Sequence, residues 1–479
     1  MAQLVGSIID KATGEPVETK VQVLTAAGEF IHPNDAILKV GPGSPFFYSN
    51  GSFEIDVPRG KTRLMIERGT EYIPQNINVD IPAQGVMDLD ISIERWSVLA
   101  DQGWHPGNTH IHYDENEHRP DERLQLDPRI EDLRMTAVSI LKRRDLEYAS
   151  NKYAPGVLTD FSSTDYYVQC GEENRHNAGG SHEIGYGHVM LLSIQNIVDP
   201  VSRGALVDAF DPDYPPLCYA CDDAHRQGGI VIWCHNGMGM ELPVAAALGK
   251  VDAFNLFDAY WMDPEYDIYY QILNSGLKLP VSTGSDWFIS SGNRVYVDIG
   301  GAFDYEDWVD GLKNGRSFIT NGPAIYMSVN GDGPGAEIDT RPGESLSAII
   351  KWESHYPVTC VELVVNGDVF TKKTFSGGSK NGQIEIDVPV ESNAWIAARL
   401  SSEFRDSYFQ PIFAHTSPVY INAGLVSSVT KLAAGNLNVA IENSMNWVQT
   451  KGKFYTDEQR REVVDIFRQG QNVYRGIAK

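Results

Sequence analysis

His110-Ile111-His112 places two imidazoles two residues apart. In an extended strand, residues i and i+2 point to the same face, so both rings can converge on one ion. Zinc, iron and manganese suit such a pair. Two histidines do not complete a catalytic site, which takes three or more protein ligands and keeps a position open for water. Four further residues stand where strands should deliver side chains. Glu173 follows Tyr166-Tyr167-Val168-Gln169 as a strand-end carboxylate, with Glu172 pointing the other way. His188 precedes the apolar run Val189-Met190-Leu191-Leu192. His235 comes directly after Ile230-Val231-Ile232-Trp233-Cys234, and Asp286 follows Val281-Ser282-Thr283 and the turn residues Gly284-Ser285. Each alone reads as an ordinary polar residue at a strand edge; together they read as the rest of a metal site.

The elements that must position these residues fall into four stretches of the 479-residue chain, too long for one hydrophobic core. Residues 1–94 alternate with period 2, as in Phe53-Glu54-Ile55-Asp56-Val57, between Gly- and Asn-containing turns, and predict a β-sandwich. Residues 95–325 change rhythm. Short strands are expected at Val157-Leu158-Thr159-Asp160, Ile230–Cys234 and Leu279-Pro280-Val281-Ser282-Thr283, with helices between them, as in a β/α barrel. Such barrels carry their chemistry at the C-terminal ends of the strands. Residues 326–425 return to alternating strands, a second sandwich. Residues 426–479 hold one clear helix signal, with Thr456 capping, Gln459 three residues on, and Val463, Ile466 and Phe467 on one face before Gly470.

Composition narrows the function classes. Apolar residues make up 42% of the chain and charged residues 22%, which is globular rather than disordered. A formal charge of -25, from 64 acidic against 39 basic residues, lacks the basic footprint that a nucleic-acid backbone requires. No apolar run reaches the ~18 residues of a membrane span, and no signal-peptide pattern opens the chain. A soluble protein is expected, with cytoplasmic, periplasmic and secreted placements all open. The five cysteines form no disulfide framework. Cys218-x-x-Cys221 has no second pair to complete a zinc site.

Thr109-His110-Ile111-His112, Gly171-Glu172-Glu173, Gly187-His188-Val189-Met190-Leu191-Leu192, Cys234-His235-Asn236-Gly237 and Gly284-Ser285-Asp286 resemble the successive motifs of the polymerase-and-histidinol-phosphatase (PHP) superfamily. More narrowly, they are similar to its CehA/McbA branch of metallohydrolases. Gly315-Arg316-Ser317-Phe318-Ile319-Thr320-Asn321-Gly322-Pro323, with Val329-Asn330-Gly331 beyond it, extends the likeness over about residues 95–420. The resemblance implies a distorted (β/α)7 barrel flanked by N-terminal and C-terminal β-sandwiches, so that the fold class is multidomain α/β and β. It implies that His110, His112, Glu173 and Asp286 hold one divalent ion, that Glu173, His188 and His235 hold a second, and that Glu173 bridges them. Residues 1–94 separately resemble the carboxypeptidase-regulatory-like sandwich. Phe161 and Phe288 stand where related chains often carry histidines associated with a third ion. One or two ions are therefore expected, zinc first, with manganese and iron as alternatives.

Two ions sharing a carboxylate acidify water and polarise a carbonyl or phosphoryl oxygen. The expected activity is hydrolysis of a carboxylic or carbamic ester or amide in a small-molecule substrate, with Asp286 orienting the nucleophile or taking its proton. Arg294 and Arg316 are candidates to clamp an anionic group, with domain-interface salt bridging as the competing role. Trp287, Phe288 and Tyr296 are candidates for an apolar pocket wall. Glu183, beside His182, competes with Glu173, while His105 and His225 read as structural or supporting. Phosphoester hydrolysis and a non-catalytic carbohydrate- or protein-binding module are the alternatives. Homo-oligomerisation stays open.

Overall fold

Alternation along Ser52–Val57 buries Phe53, Ile55 and Val57 and leaves their neighbours in solvent, and the same logic builds the whole N-terminal region. The computed structural model describes residues 1–142, 146–178, 184–201, 203–204, 211–235, 237–258 and 264–479. One N-terminal sheet orders Ser52–Val57, Ala2–Asp10 and Val86–Ile93; the other orders Phe47–Ser49, Thr19–Thr25, Gly60–Glu67 and Gln75–Ile81. Leu4, Ile8, Val21, Val23, Leu64, Ile66 and Ile91 belong to the core they share.

The chain as a whole is mixed α/β with large sheets, 22% helix and 41% strand. In the central region Trp104–His112 lies parallel to Met135–Leu141, and that strand lies parallel to Tyr167–Asn177. Ile184–Leu192 then runs antiparallel to Tyr167–Asn177, and Ile230–Trp233 antiparallel to Ile184–Leu192. Ala253–Asn255 and Val281–Ser282 add in parallel. Three residues later Asp286–Trp287 pairs with Ile111 and His112, so the pairings return to the strand from which they began. Helices Pro120–Ile130, Leu217–Arg226, Leu242–Ala247 and Tyr266–Asn274 connect successive strands. Trp104–His112 and Met135–Leu141 are buried along their full length, as expected of strands covered on both faces.

Several sequence expectations shift here. Val157–Asp160 is not a strand of this ring: only Gly156–Val157 pairs, and a 3-10 turn takes over at Thr159–Phe161. Five residues between Pro155-Gly156, with Gly156 at positive φ, and Ser162-Ser163 leave no room for more. Glu173 is not at a strand end, because Tyr167–Asn177 continues four residues beyond it. Cys218 and Cys221 lie on the buried face of helix Leu217–Arg226 with Leu217, Ala220 and Ala224, and all five cysteines are buried and free. Burial pushes both thiols well up, so the pair is packing rather than thiolate chemistry.

Beyond the ring, Ala324–Val329, Ser345–Val365, Asp368–Pro389, Ala394–Arg405, Pro411–Thr416 and Val419–Asn422 form the C-terminal β region. The apolar alternations Leu346–Ile350 and Val361–Val365 belong to one strand of 21 residues, with register shifts between Glu353 and Cys360 that let pairing resume. The tail is a helical hairpin, Ser428–Thr450 and Asp457–Ala478. The Thr456 side chain accepts from the Gln459 amide at 3.2 Å, as the capping pattern predicted. Gly470 does not end the second helix, since a Cβ there would lie 2.9 Å from Val244 Cα; the glycine admits close packing on helix Leu242–Ala247. Val463, Phe467, Leu437 and Ile441 accordingly share one core with Val244, Tyr186 and Trp233. Among the described residues no helix is long and apolar enough to cross a membrane.

Candidate metal centre

Gly284-Ser285-Asp286 is pinned against the histidine strand. Ser285 N donates to His110 O at 3.0 Å and Phe288 N donates to His112 O at 2.8 Å. A Cβ on Gly284 would fall 2.3 Å from His110 Cβ, which explains the glycine by close approach. Asp286 takes φ 59°, a left-handed conformation uncommon for a residue with a Cβ, and so turns its carboxylate back over the strand.

The side chains converge. His110 Nε2 lies 3.1 Å from His112 Nε2, 3.4 Å from Asp286 Oδ1 and 3.8 Å from Glu173 Oε2. Glu173 offers Oε2 to His112 Nε2 at 3.0 Å and Oε1 to His188 Nδ1 at 3.0 Å, so one carboxylate spans two groups of donors. His235 Nε2 is 3.4 Å from Asp286 Oδ2, and its ring stacks on His110 with centroids 5.3 Å apart. Ligand atoms of His110, His112 and Asp286 lie within 4.8 Å of one another, as do those of Glu173, His188 and His235, and those of His110, His235 and Asp258. The structure thus brings together all six of the residues read as ligands.

Asp258 escaped the sequence reading. Its Oδ2 lies 3.3 Å from His110 Nδ1, while its Oδ1 accepts from Gly284 N at 3.0 Å. The signal was present: Asp258 follows the apolar Leu256-Phe257 after strand Ala253–Asn255, the same strand-to-loop carboxylate pattern that marked Asp286.

These neighbours fix which ring nitrogens carry protons. His112 Nδ1 faces the Ser139 carbonyl at 2.8 Å and His110 Nδ1 faces the Asp258 carboxylate, so both are donors. With both rings neutral, the two Nε2 atoms present lone pairs to each other and to the oxygens of Glu173 and Asp286, and four acceptors around one point call for a cation, either a metal ion or a proton on His110. Burial opposes charge on His110, yet Asp286, Asp258 and Glu173 together hold its protonation well above the ordinary imidazole range. Burial likewise opposes charge on Glu173, and His110, His112 and His188 hold its carboxyl well below the usual range. His188 is pushed down to about 4, first by burial, with Glu173 opposing and His235 and Arg175 adding to it. Mixed imidazole and carboxylate donors fit zinc, manganese or iron, so the donor set fits one or two divalent ions.

A search of protein-family models and of curated proteins returns no match. The geometry therefore carries the functional reading alone.

The two arginines proposed as clamps do not join the cluster. Arg294 spends its guanidinium on Glu131, at 2.6 Å to the carbonyl and 3.1 Å to Oε2, and on Gly292 O at 3.0 Å. Lys20 of the N-terminal sandwich meets the same Glu131 at 2.6 Å, which makes Arg294 part of a buried interdomain ion cluster. Arg316 donates to Asp298 O and faces Asp310 at 3.6 Å. Asp298 is registered against Trp104, the first residue of the histidine strand, so Arg316 lies at the rim opposite His110 and His112. Tyr296 is not a pocket wall either: its hydroxyl donates to Glu71 Oε1 at 3.0 Å across the domain interface. Phe288 is buried against Tyr113 and under Arg123. Trp287 alone of the three aromatics stays beside the cluster, its ring 5.4 Å from that of His112. Phe161 packs on Tyr153. His105 bonds to Gly301 O and His225 to Asp252, both away from the ligands. Glu183 and His182, the rivals to Glu173, lie outside the described residues, as do Asn236 and the Arg143-Arg144 pair.

Proposed function

We propose that this chain is a divalent-metal-dependent hydrolase of the PHP type, with residues 95–325 as a distorted (β/α)7 barrel of the CehA/McbA kind. The observation that carries the reading is the facing pair of His110 and His112 Nε2 atoms, closed by Glu173 and Asp286 carboxylates in a buried setting. A divalent ion or pair of ions held there supplies Lewis acidity and water made acidic near neutral pH. His110, His112, Asp286 and Glu173 are the ligands of one position; Glu173, His188 and His235 are those of the other. Asp286 is the least buried of the carboxylates, with 13% of its side chain accessible, and is the residue to orient the attacking water and take its proton. Asp258 and Ser139 hold the two histidines in the tautomer the ligation needs. The substrate class is a carboxylic or carbamic ester or amide, with Trp287 as an apolar wall; phosphoester hydrolysis is the second reading.

Metal analysis of the purified protein, coupled to parallel assays on aryl ester, aryl carbamate and aryl phosphate after reconstitution with zinc, manganese or iron, tests this. One or two equivalents with turnover of the ester or carbamate are expected. His110→Ala with His112→Ala should abolish turnover and lower metal content while far-UV circular dichroism persists. Full activity in that double variant would sink the reading.

A further inference from the structure

The strand that carries Glu173 also lines, at its other end, a cavity of about 440 Å³. Tyr167 is registered with Met135, the first residue of the parallel strand Met135–Leu141, whereas Glu173 is registered with its last residue, Leu141. Six residues of extended chain put Tyr167 and Glu173 about 20 Å apart. Tyr167 and Gln169 leave the same face of the strand as Glu173. One strand face thus serves the metal-competent cluster at one end and this cavity at the other. Helix Tyr305–Lys313 supplies a second wall through Tyr305, Glu306, Val309, Asp310 and Lys313, which share one side of the helix.

The rings of Tyr167 and Tyr305 stack, with centroids 4.1 Å apart and planes 17° from parallel, and both line the cavity. Gln169 lines it too and is 1% exposed. Its Oε1 accepts from Ser193 N at 2.8 Å and from the Tyr305 hydroxyl at 2.8 Å, so the turned-over amide would set donor against donor. That orientation leaves Nε2, with two N–H groups, and no partner for it among the described residues. A buried donor without an acceptor is costly, and an oxygen supplied by a ligand removes the cost. Glu306 and Asp310 are exposed on the helix wall, while Lys313 spends its Nζ on Gly229 O at 2.9 Å.

These groups select a ligand by charge. Two carboxylates turn away an anion, and the free N–H groups of Gln169 turn away a cation. A hydroxyl suits both, accepting from Gln169 and donating to Glu306 or Asp310. The C–H face of a pyranose lies well on the electron-rich face of a tyrosine, and the cavity has the volume of a small-molecule site. We infer that Tyr167, Gln169, Tyr305 and Glu306 form a binding site for a neutral sugar, on the rim of the strand ring opposite the metal-competent cluster. The site needs no metal and stands apart from the hydrolase reading. At about 20 Å from Glu173 it anchors a sugar-bearing molecule and does not react with it.

The full chain is titrated, by calorimetry and saturation-transfer NMR, with D-glucose, D-galactose, D-mannose and N-acetyl-D-glucosamine, and with acetate and tetramethylammonium as charged controls. At least one sugar should bind with a Kd of about 10 mM or tighter, and neither control should bind. Tyr167→Ala and Gln169→Met should each weaken that sugar by about fivefold or more, while Tyr167→Phe, which keeps the stacking face, stays near wild type. Metal content should be the same in all three variants. Tyr167 is half-buried, so Tyr167→Ala and Tyr167→Phe carry the comparison if Gln169→Met loses its far-UV circular dichroism. No bound sugar overturns the inference and leaves water as the partner of Gln169. Equal affinity in wild type and Tyr167→Ala overturns it too, by placing the sugar elsewhere on the chain. Binding of acetate or tetramethylammonium in place of a sugar overturns the assignment to a neutral ligand. Sugar binding through Tyr167 in a chain that holds no metal retires the hydrolase reading and leaves this one standing.

Discussion

Asp258 gives the sharpest test of the metal centre, because its two oxygens do different work. Oδ2 faces His110 Nδ1 at 3.3 Å, and Oδ1 accepts from Gly284 N at 3.0 Å. In Asp258→Ala the carboxylate that orients His110 is gone, and removal of such a partner lowers metal affinity by about 10–100-fold, or about 1.4–2.7 kcal/mol. Asp258→Asn keeps the shape but reverses one end. If Gly284 N holds the amide oxygen, the amide nitrogen meets His110 Nδ1, donor against donor, and pushes the ring proton to Nε2, the atom that ligates. If the amide turns over, the Gly284 N–H faces a donor, a buried unsatisfied group costing about 1–3 kcal/mol. A water admitted by Ala escapes this conflict. Asp258→Asn should therefore bind zinc no better than Asp258→Ala, with affinity about 100-fold or more below wild type in competition against a chromophoric chelator. Wild-type affinity in Asp258→Asn would refute the tautomer argument. Loss of one whole ion equivalent in both variants would make Asp258 a ligand in its own right, with His110 and His235.

Three further predictions address the frame around the site. Glu131→Gln leaves Lys20 and Arg294 buried without their shared carboxylate and should cost about 3–5 kcal/mol in chemical denaturation, with metal content unchanged. Arg294→Met should lower stability and leave KM unaltered; an altered KM with unaltered stability would restore the clamp role. His415 is buried, accepts from the Tyr270 hydroxyl at 2.8 Å, and is pushed down to about 3, first by burial. A depressed folded pKa gives stability that is complete above the unfolded value near 6.5 and is lost as pH falls toward 3. At about 1.4 kcal/mol per unit, His415 contributes about 2–3 kcal/mol of loss between pH 6.5 and 4.5. His415→Gln should flatten the acid limb of denaturation midpoint against pH, and an unchanged slope would refute the assignment.

The legible parts were those governed by local periodicity. Period-2 alternation marked Ser52–Val57 and Ala324–Val329, and the Thr456 cap marked the last helix. Helix Ser428–Thr450 was missed because its buried Ala433, Ala434, Leu437 and Ile441 make a weak apolar stripe among small and polar residues. Gly470 misled for a related reason: only the approach of Val244 shows why a glycine belongs inside that helix. Strand Tyr167–Asn177 was read as ending near Glu173 because Glu172-Glu173-Asn174-Arg175-His176-Asn177 is entirely polar. Polar residues can occupy a buried strand when a cluster of charges across the ring satisfies them, and that compensation is invisible along the chain.

The sequence by itself determined the identity of the metal-competent residues. His188 and His235 adjoin apolar runs, His110 and His112 stand two residues apart, and Glu173 and Asp286 follow strand-like segments, and strand geometry alone aims such residues to one side. Only the tertiary structure decided which atoms meet. It showed the facing Nε2 atoms, added Asp258, and sent Arg294 to an interdomain ion cluster and Arg316 to the far rim. Spacing in a chain fixes the side of a strand a residue takes; strand register and domain packing fix its height and its partner, and charge acts over those distances.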